Sequence, residues 1–487
     1  MSPNLSLSQA FSKNLSKESA FWGLSLLIFF GLGLLGVFTH EMWRDEIRIW
    51  MILRDSHSWG DLYYNLRYET GHFFPWYLLL YPFSRLTRNP IALQILHLLT
   101  STAVAYVVLR YAPFSRLQRL LLTFGYFLFY EYSIVVRNYG FSLLFLFLFC
   151  VLFGERDRQY WRLAFLLALF ANVNYFSWML ANALGIVMVI EFWLHPNRAE
   201  MGRQRKTDLL LSLGLWLGSA GLAVLQMIPP PGVEVSPSVD LSLERFASTL
   251  ASLWKSYAPM PGLAHVFWNT NILDDGVSAV LSVGVLGFAL TRFSRYPIVL
   301  LLYILGTGQL LAFFLLKHGG GVRHWGYLFV VFIVCLWLTQ YFPASSSVEP
   351  KGFWHRHQPS FLMFCLSVQF AAGAFAFGMD VLYPFSEAQN GARVIQAQGL
   401  VSLPKVGYRD YTSMTVSGFL DQPIYYPESG RSGTFLLGFN IHHKTLDPAA
   451  LWETLDRTLE TGQEYLLILS EPISTPHFPA PLASATE

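Results

Sequence analysis

Charge is what this sequence lacks most. Only 13% of its 487 residues are Asp, Glu, Lys or Arg, against ~25% in a typical soluble domain. That is too little charged surface to clothe one conventional globule. The net charge is only +2, from 33 basic and 31 acidic residues, so the balance points to no polyanion partner and to no nucleic acid. Cysteine is nearly missing: Cys150, Cys335 and Cys365 all lie in apolar runs, and neither a disulfide framework nor a thiolate metal site is expected. No internal repeat or low-complexity segment stands out. What the chain has is apolar mass, 53% hydrophobic with 41 Phe, 24 Tyr and 15 Trp. A disordered chain is excluded, and a polytopic membrane protein is the class that fits.

Residues 1–20 are polar and Ser-rich, with Lys13 and Lys17 ahead of the first apolar run, 21–39. A secretory signal has an apolar core of only ~7–15 residues. This run is longer and ends in Phe38-Thr39-His40-Glu41, so it reads as a retained anchor with a cytoplasmic N-terminus. Further apolar segments lie at 91–110, 120–136, 139–153, 161–176, 178–194, 208–227, 276–291, 297–316, 325–341 and 359–379. The stretch 73–86 decides the sidedness of everything after it. Taken as a re-entrant or interfacial helix, it leaves about 11 spans and puts Arg110, Arg116, Arg119, Arg156, Arg158, Arg198, Arg203, Arg205, Lys206, Arg292, Arg295, Lys351 and Arg356 on the cytoplasmic side. That is the positive-inside pattern. The outer side then receives loops 40–90 and 228–275, the latter with an amphipathic helix near 241–254, and the tail 380–487. The tail has ordinary soluble composition and reads as a small α/β domain, with strands at 392–398 and 465–470 and a helix at 448–461.

The outer side collects the polar chemistry. The first loop reads His40-Glu41-Met42-Trp43-Arg44-Asp45-Glu46-Ile47-Arg48-Ile49-Trp50. Neighbours on a helix point about 100° apart, so Asp45 and Glu46 cannot form a paired dyad on one substrate atom. Either they belong to a solvated charged loop, or one is a base and the other an orienting or metal-binding partner. The next outer element, Glu69-Thr70-Gly71-His72-Phe73-Phe74-Pro75, opens an apolar helix, either as a broken re-entrant entry or as an ordinary helix start with a surface His. Glu131 and Arg137 interrupt the hydrophobicity between two spans. Ionised groups at that depth pair with one another or face a cavity. The run Lys317-His318-Gly319-Gly320-Gly321-Val322-Arg323-His324 is basic on the side where basic residues are otherwise few, as are Arg44 and Arg48. An anionic ligand explains that retention, with Arg for bidentate phosphate contacts and Lys as a point charge.

With these motifs in this order, the chain resembles the bacterial integral-membrane glycosyltransferases of the GT-C fold. The likeness is to the branch of aminoarabinose transferases and protein O-mannosyltransferases (glycosyltransferase family 39-like), over approximately 20–340 and most strongly 36–200. The resemblance implies an all-α polytopic membrane protein with about 11–12 transmembrane helices, a catalytic domain at 21–379 and an extracytoplasmic α/β domain at 380–487. It implies catalytic roles for Asp45, as general base, and its neighbour Glu46. Arg137, Tyr139, Lys317 and Arg323 match positions near the donor phosphate, while His72, Glu131 and His324 are further site candidates. His72 and Pro75 correspond to a His-Pro motif, here separated by Phe73 and Phe74. A divalent metal, Mg or Mn, on Asp45 or Glu46 is compatible with that chemistry, although spacing does not demand one.

The implied reaction moves a sugar from a polyprenyl-phosphate donor to a hydroxyl of a lipid, glycan or protein acceptor at the outer face of a bacterial inner membrane, with inversion. Two rivals share the architecture. One is a transporter or flippase of a lipid-linked sugar, which usually shows paired repeats and broken helices. The other is a ligase joining glycans.

Overall fold

The computed structural model describes residues 7–470 except 70–72, 231–240, 346–355, 438–444 and 460–461, with the side chains of the first helix described from 17 onward. The chain begins with α1 (Leu7–Thr39), followed by three shorter helices, α2 (Arg44–Asp55), α3 (Trp59–Arg67) and α4 (Phe74–Leu86). Then come α5 (Ile91–Tyr111), α6 (Arg116–Thr123), a π-helix (Tyr126–Ile134), α7 (Tyr139–Leu152), α8 (Tyr160–Ala171), α9 (Tyr175–Leu194), α10 (Arg198–Gln204) and α11 (Lys206–Met227). The helical part ends with α12 (Leu243–Tyr257), α13 (Asp275–Phe293), α14 (Pro297–Leu316), α15 (Val322–Leu338) and α16 (Gln358–Leu382).

Among the described residues, eight helices are long and apolar enough to cross a membrane: α1, α5, α9, α11, α13, α14, α15 with its last turn, and α16. The expected segments 139–153 and 161–176 become the shorter apolar helices α7 and α8. The segment 120–136 is not one helix, because it breaks at Gly125 into α6 and the π-helix. Packing explains the break. A Cβ on Gly373 of α16 would stand 2.9 Å from Tyr126 N and 3.0 Å from Gly125 C, so the two backbones meet there and the ladder re-forms with wider turns. At 1.5 Å per residue, α4 with its 13 residues is too short to cross a ~30 Å apolar layer alone. It lies instead on α2, sharing a core of Trp50, Trp76, Tyr77 and Leu80.

The tail forms a small lobe: α17 (Ala388–Ala397), β1 (Lys405–Tyr408), α18 (Asp410–Leu420), β2 (Ile424–Tyr426), β3 (Arg431–Gly433), α19 (Pro448–Thr458) and β4 (Leu466–Leu469). Its sheet has the order β3-β2-β1-β4. Both β2 and β4 run parallel to β1, with Val406 opposite Tyr425 and Lys405 opposite Leu466, while β3 is antiparallel to β2. The expected strand at 465–470 and helix at 448–461 are present as β4 and α19. The expected strand at 392–398 is instead the end of helix α17. Ala392 and Ile395, three residues apart, share one buried face against Val416 and Leu420 of α18, which an alternating strand would split.

The lobe is bolted to the helices. Met414, Ile424 and Tyr426 enter the same core as Ile47, Trp50 and Met51 of α2. Arg54, its side chain 0% exposed, pairs with Asp55 at 2.7 Å and Asp421 at 2.9 Å, and Arg88 reaches the same two carboxylates.

Candidate functional site

The candidate site is built at the end of the helical body that carries the lobe. Helix α2 starts there because Glu46, at its third position, folds back to accept the Trp43 amide at 3.1 Å. Asp45 and Glu46 also favour the positive end of the helix dipole. Ile47, Trp50 and Met51 bury the opposite face. As the 100° rotation requires, the two carboxylates diverge.

Asp45 faces arginine. Its Oδ1 accepts from Arg44 Nε at 3.0 Å, and its Oδ2 stands 3.5 Å from Arg137 Nη1 and 3.6 Å from Arg323 Nη2. Burial pushes this carboxyl up, but Arg137, Arg44 and Arg323 together outweigh it and hold Asp45 at about 2. Glu46, fully buried, turns the other way to His40 Nε2 at 3.0 Å and to the Val136 amide. The His40 Nδ1 in turn meets Asp380 of α16 at 2.7 Å.

Each arginine is positioned through its own backbone. The Arg137 carbonyl lies 3.2 Å from His97 Nε2 of α5, and the Arg323 carbonyl accepts from Tyr132 of the π-helix at 2.6 Å. Tyr132 reaches it because α15 offers Gly326 at that point, where a Cβ would stand 2.2 Å from the Tyr132 hydroxyl. The Arg323 guanidinium lies over the indoles of Trp43, at 5.7 Å, and Trp268, at 5.3 Å. Stacking its faces leaves the N–H edge for an anion. Glu131 does not lean on Arg137 for its hydrogen bonds: it accepts from Tyr126 at 3.0 Å and from Trp268 Nε1 at 3.1 Å. A π-helix carrying such a residue is common at functional sites.

The remaining expected residues divide. Tyr139 and His324 are buried in an aromatic group with Phe176 and Tyr327, and His324 Nδ1 accepts the Gly321 amide at 2.9 Å. Lys317 is exposed at the end of α14 and makes no ion pair among the described residues. His72 lies outside the described residues, while Pro75 occupies the first turn of α4.

Sequence reasoning passed over Glu69, Tyr411, Trp268 and Phe385, which the fold brings in, and left Arg48 as an outer basic residue without a partner. Glu69, in the second outer motif, pairs with Arg48. Burial raises Glu69 while Arg48 pulls it back only in part, so Asp45 and Glu69 are buried carboxylates shifted in opposite directions, an arrangement suited to dividing acid and base roles. Arg48 also donates to Leu436 O of the lobe at 2.8 Å. From the lobe, Tyr411 lies under the Arg44 guanidinium at 5.4 Å. Trp268 meets Trp43 at 4.7 Å and Phe385 at 5.4 Å. Glu69 and Arg48 were legible as charges retained in apolar surroundings, whereas Tyr411, Trp268 and Phe385 carried no local signal.

A divalent cation on Asp45 or Glu46 does not fit this donor set. Three guanidinium groups already face Asp45, and Glu46 is occupied by His40 and two amides. Among the described residues no group of three or more His, Cys, Asp or Glu is placed to hold a metal.

Comparison with family models, with characterised proteins and with solved structures finds no match to this chain. Its class therefore rests on its own architecture. The long apolar helices, eight among the described residues, make it a multi-pass membrane protein, with an α/β lobe docked over a carboxylate–arginine centre lined by aromatic rings.

Proposed function

We propose that this protein is a membrane glycosyltransferase of GT-C architecture. It moves a sugar from a polyprenyl-phosphate donor to an acceptor hydroxyl on the extracytoplasmic side of a bacterial inner membrane. The observation that carries this reading is the Asp45 carboxylate held among Arg137, Arg323 and Arg44 at one end of an apolar helical body. A lipid-linked phosphate has the matching form, a tail for the apolar helices and an anion for guanidinium groups. Lys317 adds positive charge on the loop leading into Arg323.

In this reading the donor phosphate binds the edges of Arg137 and Arg323. The acceptor oxygen attacks the anomeric carbon from the opposite face, the bond from that carbon to the phosphate oxygen breaks, and the configuration inverts. The acceptor proton passes to Asp45, while the charge on the departing polyprenyl phosphate is stabilised by the arginines. At about 2 the free-state carboxylate is a weak base. A phosphate that shares its arginines relieves that depression, so donor binding itself makes Asp45 more basic. The lobe, with Tyr411 against Arg44, forms the wall from which an acceptor enters.

The test follows a labelled polyprenyl-phosphate sugar with the purified protein in lipid, beside Asp45→Asn, in the presence of an acceptor-rich membrane extract. Release of polyprenyl phosphate with sugar transfer, abolished in the variant while donor binding persists, is the expected result. A donor that crosses the bilayer with its sugar bond intact, whatever the acceptor, would replace this reading by a transporter.

A further inference from the structure

The Glu46 carboxylate is 0% exposed, one residue from Asp45, and does not touch the arginine centre. It accepts the amide of Trp43, which caps α2, at 3.1 Å, and the amide of Val136, next to Arg137. One side chain thus holds the backbone on both sides of the Asp45–Arg137 pair, across 90 residues of sequence. On its remaining side stands His40, with Asp380 behind it, the His40 and Asp380 side chains each 1% exposed. Both ring nitrogens of His40 face carboxylate oxygen, at 3.0 and 2.7 Å, and only the imidazolium donates from both. Burial alone would favour the neutral ring, but the Asp380 and Glu46 charges hold His40 well above its ordinary range.

The other groups round His40 agree with a fixed element. Phe385 lies 4.8 Å from its ring, and Gln94 Nε2 donates to its carbonyl at 3.1 Å. Glu41, the neighbouring carboxylate, is taken up by the Gln389 amide at the start of the lobe, and the Tyr130 hydroxyl of the π-helix lies beside Asp380.

We propose that Glu46, His40 and Asp380 form a positioning clamp, a buried imidazolium between two carboxylates, that fixes Asp45 against Arg137 and ties both to the end of α16 where the lobe begins. Glu46 is then a positioning residue rather than a base or a metal ligand. The inference rests on reading Asp45 and Arg137 as the reacting pair. Glu46→Gln keeps the shape but turns an amide N–H₂ toward groups that are all donors, so the backbone at Trp43 or Val136 must shift. A misplacement on the order of 1 Å costs about 100-fold in kcat, with a smaller change in KM because substrate contacts remain.

The experiment uses the full chain in lipid nanodiscs, as wild type, Glu46→Gln and Asp380→Asn. Asp380→Asn sits on a different helix and serves if Glu46→Gln does not fold. Nitrogen NMR of labelled histidine at pH 8 reads the His40 ring, sugar transfer gives kcat and KM, and plain polyprenyl phosphate is the binding probe. The expected result is an imidazolium at pH 8 in the wild type, lost in Asp380→Asn, with kcat down about 100-fold and Asp45→Asn leaving the ring signal unchanged. A neutral His40 in the wild type, or an Asp380→Asn protein with unchanged kcat, overturns the clamp. A wild type that transfers no sugar refutes the enzyme reading alone, since the ring signal in the wild type and in Asp380→Asn still decides the clamp.

Discussion

Replacing Asp45 by Asn should weaken the protein and tighten its hold on a phosphate at the same time. The carboxylate is held at about 2 against an ordinary 3.8, a net preference for the charged form of about 2 kcal/mol that remains after the pull of Arg137, Arg44 and Arg323 has offset burial. With a depressed carboxyl the stabilisation is fully present above pH ~4 and fades as pH falls through about 2. At neutral pH, Asp45→Asn therefore loses it and leaves three guanidinium groups crowded together. Those groups become available to a ligand anion. If polyprenyl phosphate binds where the carboxylate now competes, its affinity rises by up to about 30-fold, the equivalent of that 2 kcal/mol. Titration calorimetry of polyprenyl phosphate into nanodisc-embedded wild type and variant measures this directly. Thermal unfolding should show a lower midpoint for the variant and a larger upward shift on adding the lipid phosphate. An Asp45→Asn protein that binds polyprenyl phosphate more weakly than wild type would refute the reasoning, because Asp45 would then be helping to hold the phosphate.

Three other outcomes follow from the packing. Arg54→Ala removes the fully buried partner of Asp55 and Asp421, which keep Arg88, and should cost about 1.5–3 kcal/mol, seen as a lower unfolding midpoint and new protease cleavage between α16 and α17; an unchanged digest would mean the lobe is held by its apolar contacts alone. Asp410, buried at the start of α18, is raised to about 7, chiefly by burial. Its folded form favours the proton, so stability is greatest below pH ~4 and falls as pH rises toward 7. Asp410→Asn should remove that slope and raise the midpoint at pH 8, and a variant less stable at pH 8 would contradict it. Gly326→Ala brings a methyl group onto Tyr132 and Phe127. It should displace the Tyr132–Arg323 hydrogen bond and weaken polyprenyl-phosphate binding, whereas an unaltered affinity would show that Arg323 does not depend on Tyr132.

Much of the helical body was legible because burial follows local periodicity. Segments such as 297–316 and 208–227 needed only length and composition. Asp45 and Glu46 were separable for the same reason: 100° of helical rotation sent one to arginine and the other to His40. The strand assigned to 392–398 failed because a short mixed segment satisfies both periods until its neighbour is known, and α18 supplied a helical face for Ala392 and Ile395. The break at 125 was equally hidden, since nothing near Gly125 announces that Gly373 approaches it.

By itself, then, the sequence determined a multi-pass helical membrane protein with a small α/β tail and charged residues concentrated in a few loops, since apolar length and periodicity act within one element at a time. Only the tertiary structure decided that Arg323 and Arg137 converge on Asp45, that Trp268 and Tyr411 line the same centre, and that His40 reaches Asp380 across 340 residues. Those pairings depend on how closely whole helices approach and at which turn they touch. The steric fit at positions such as Gly326 and Gly373 sets that approach, and it is a property of two surfaces together that neither segment carries alone.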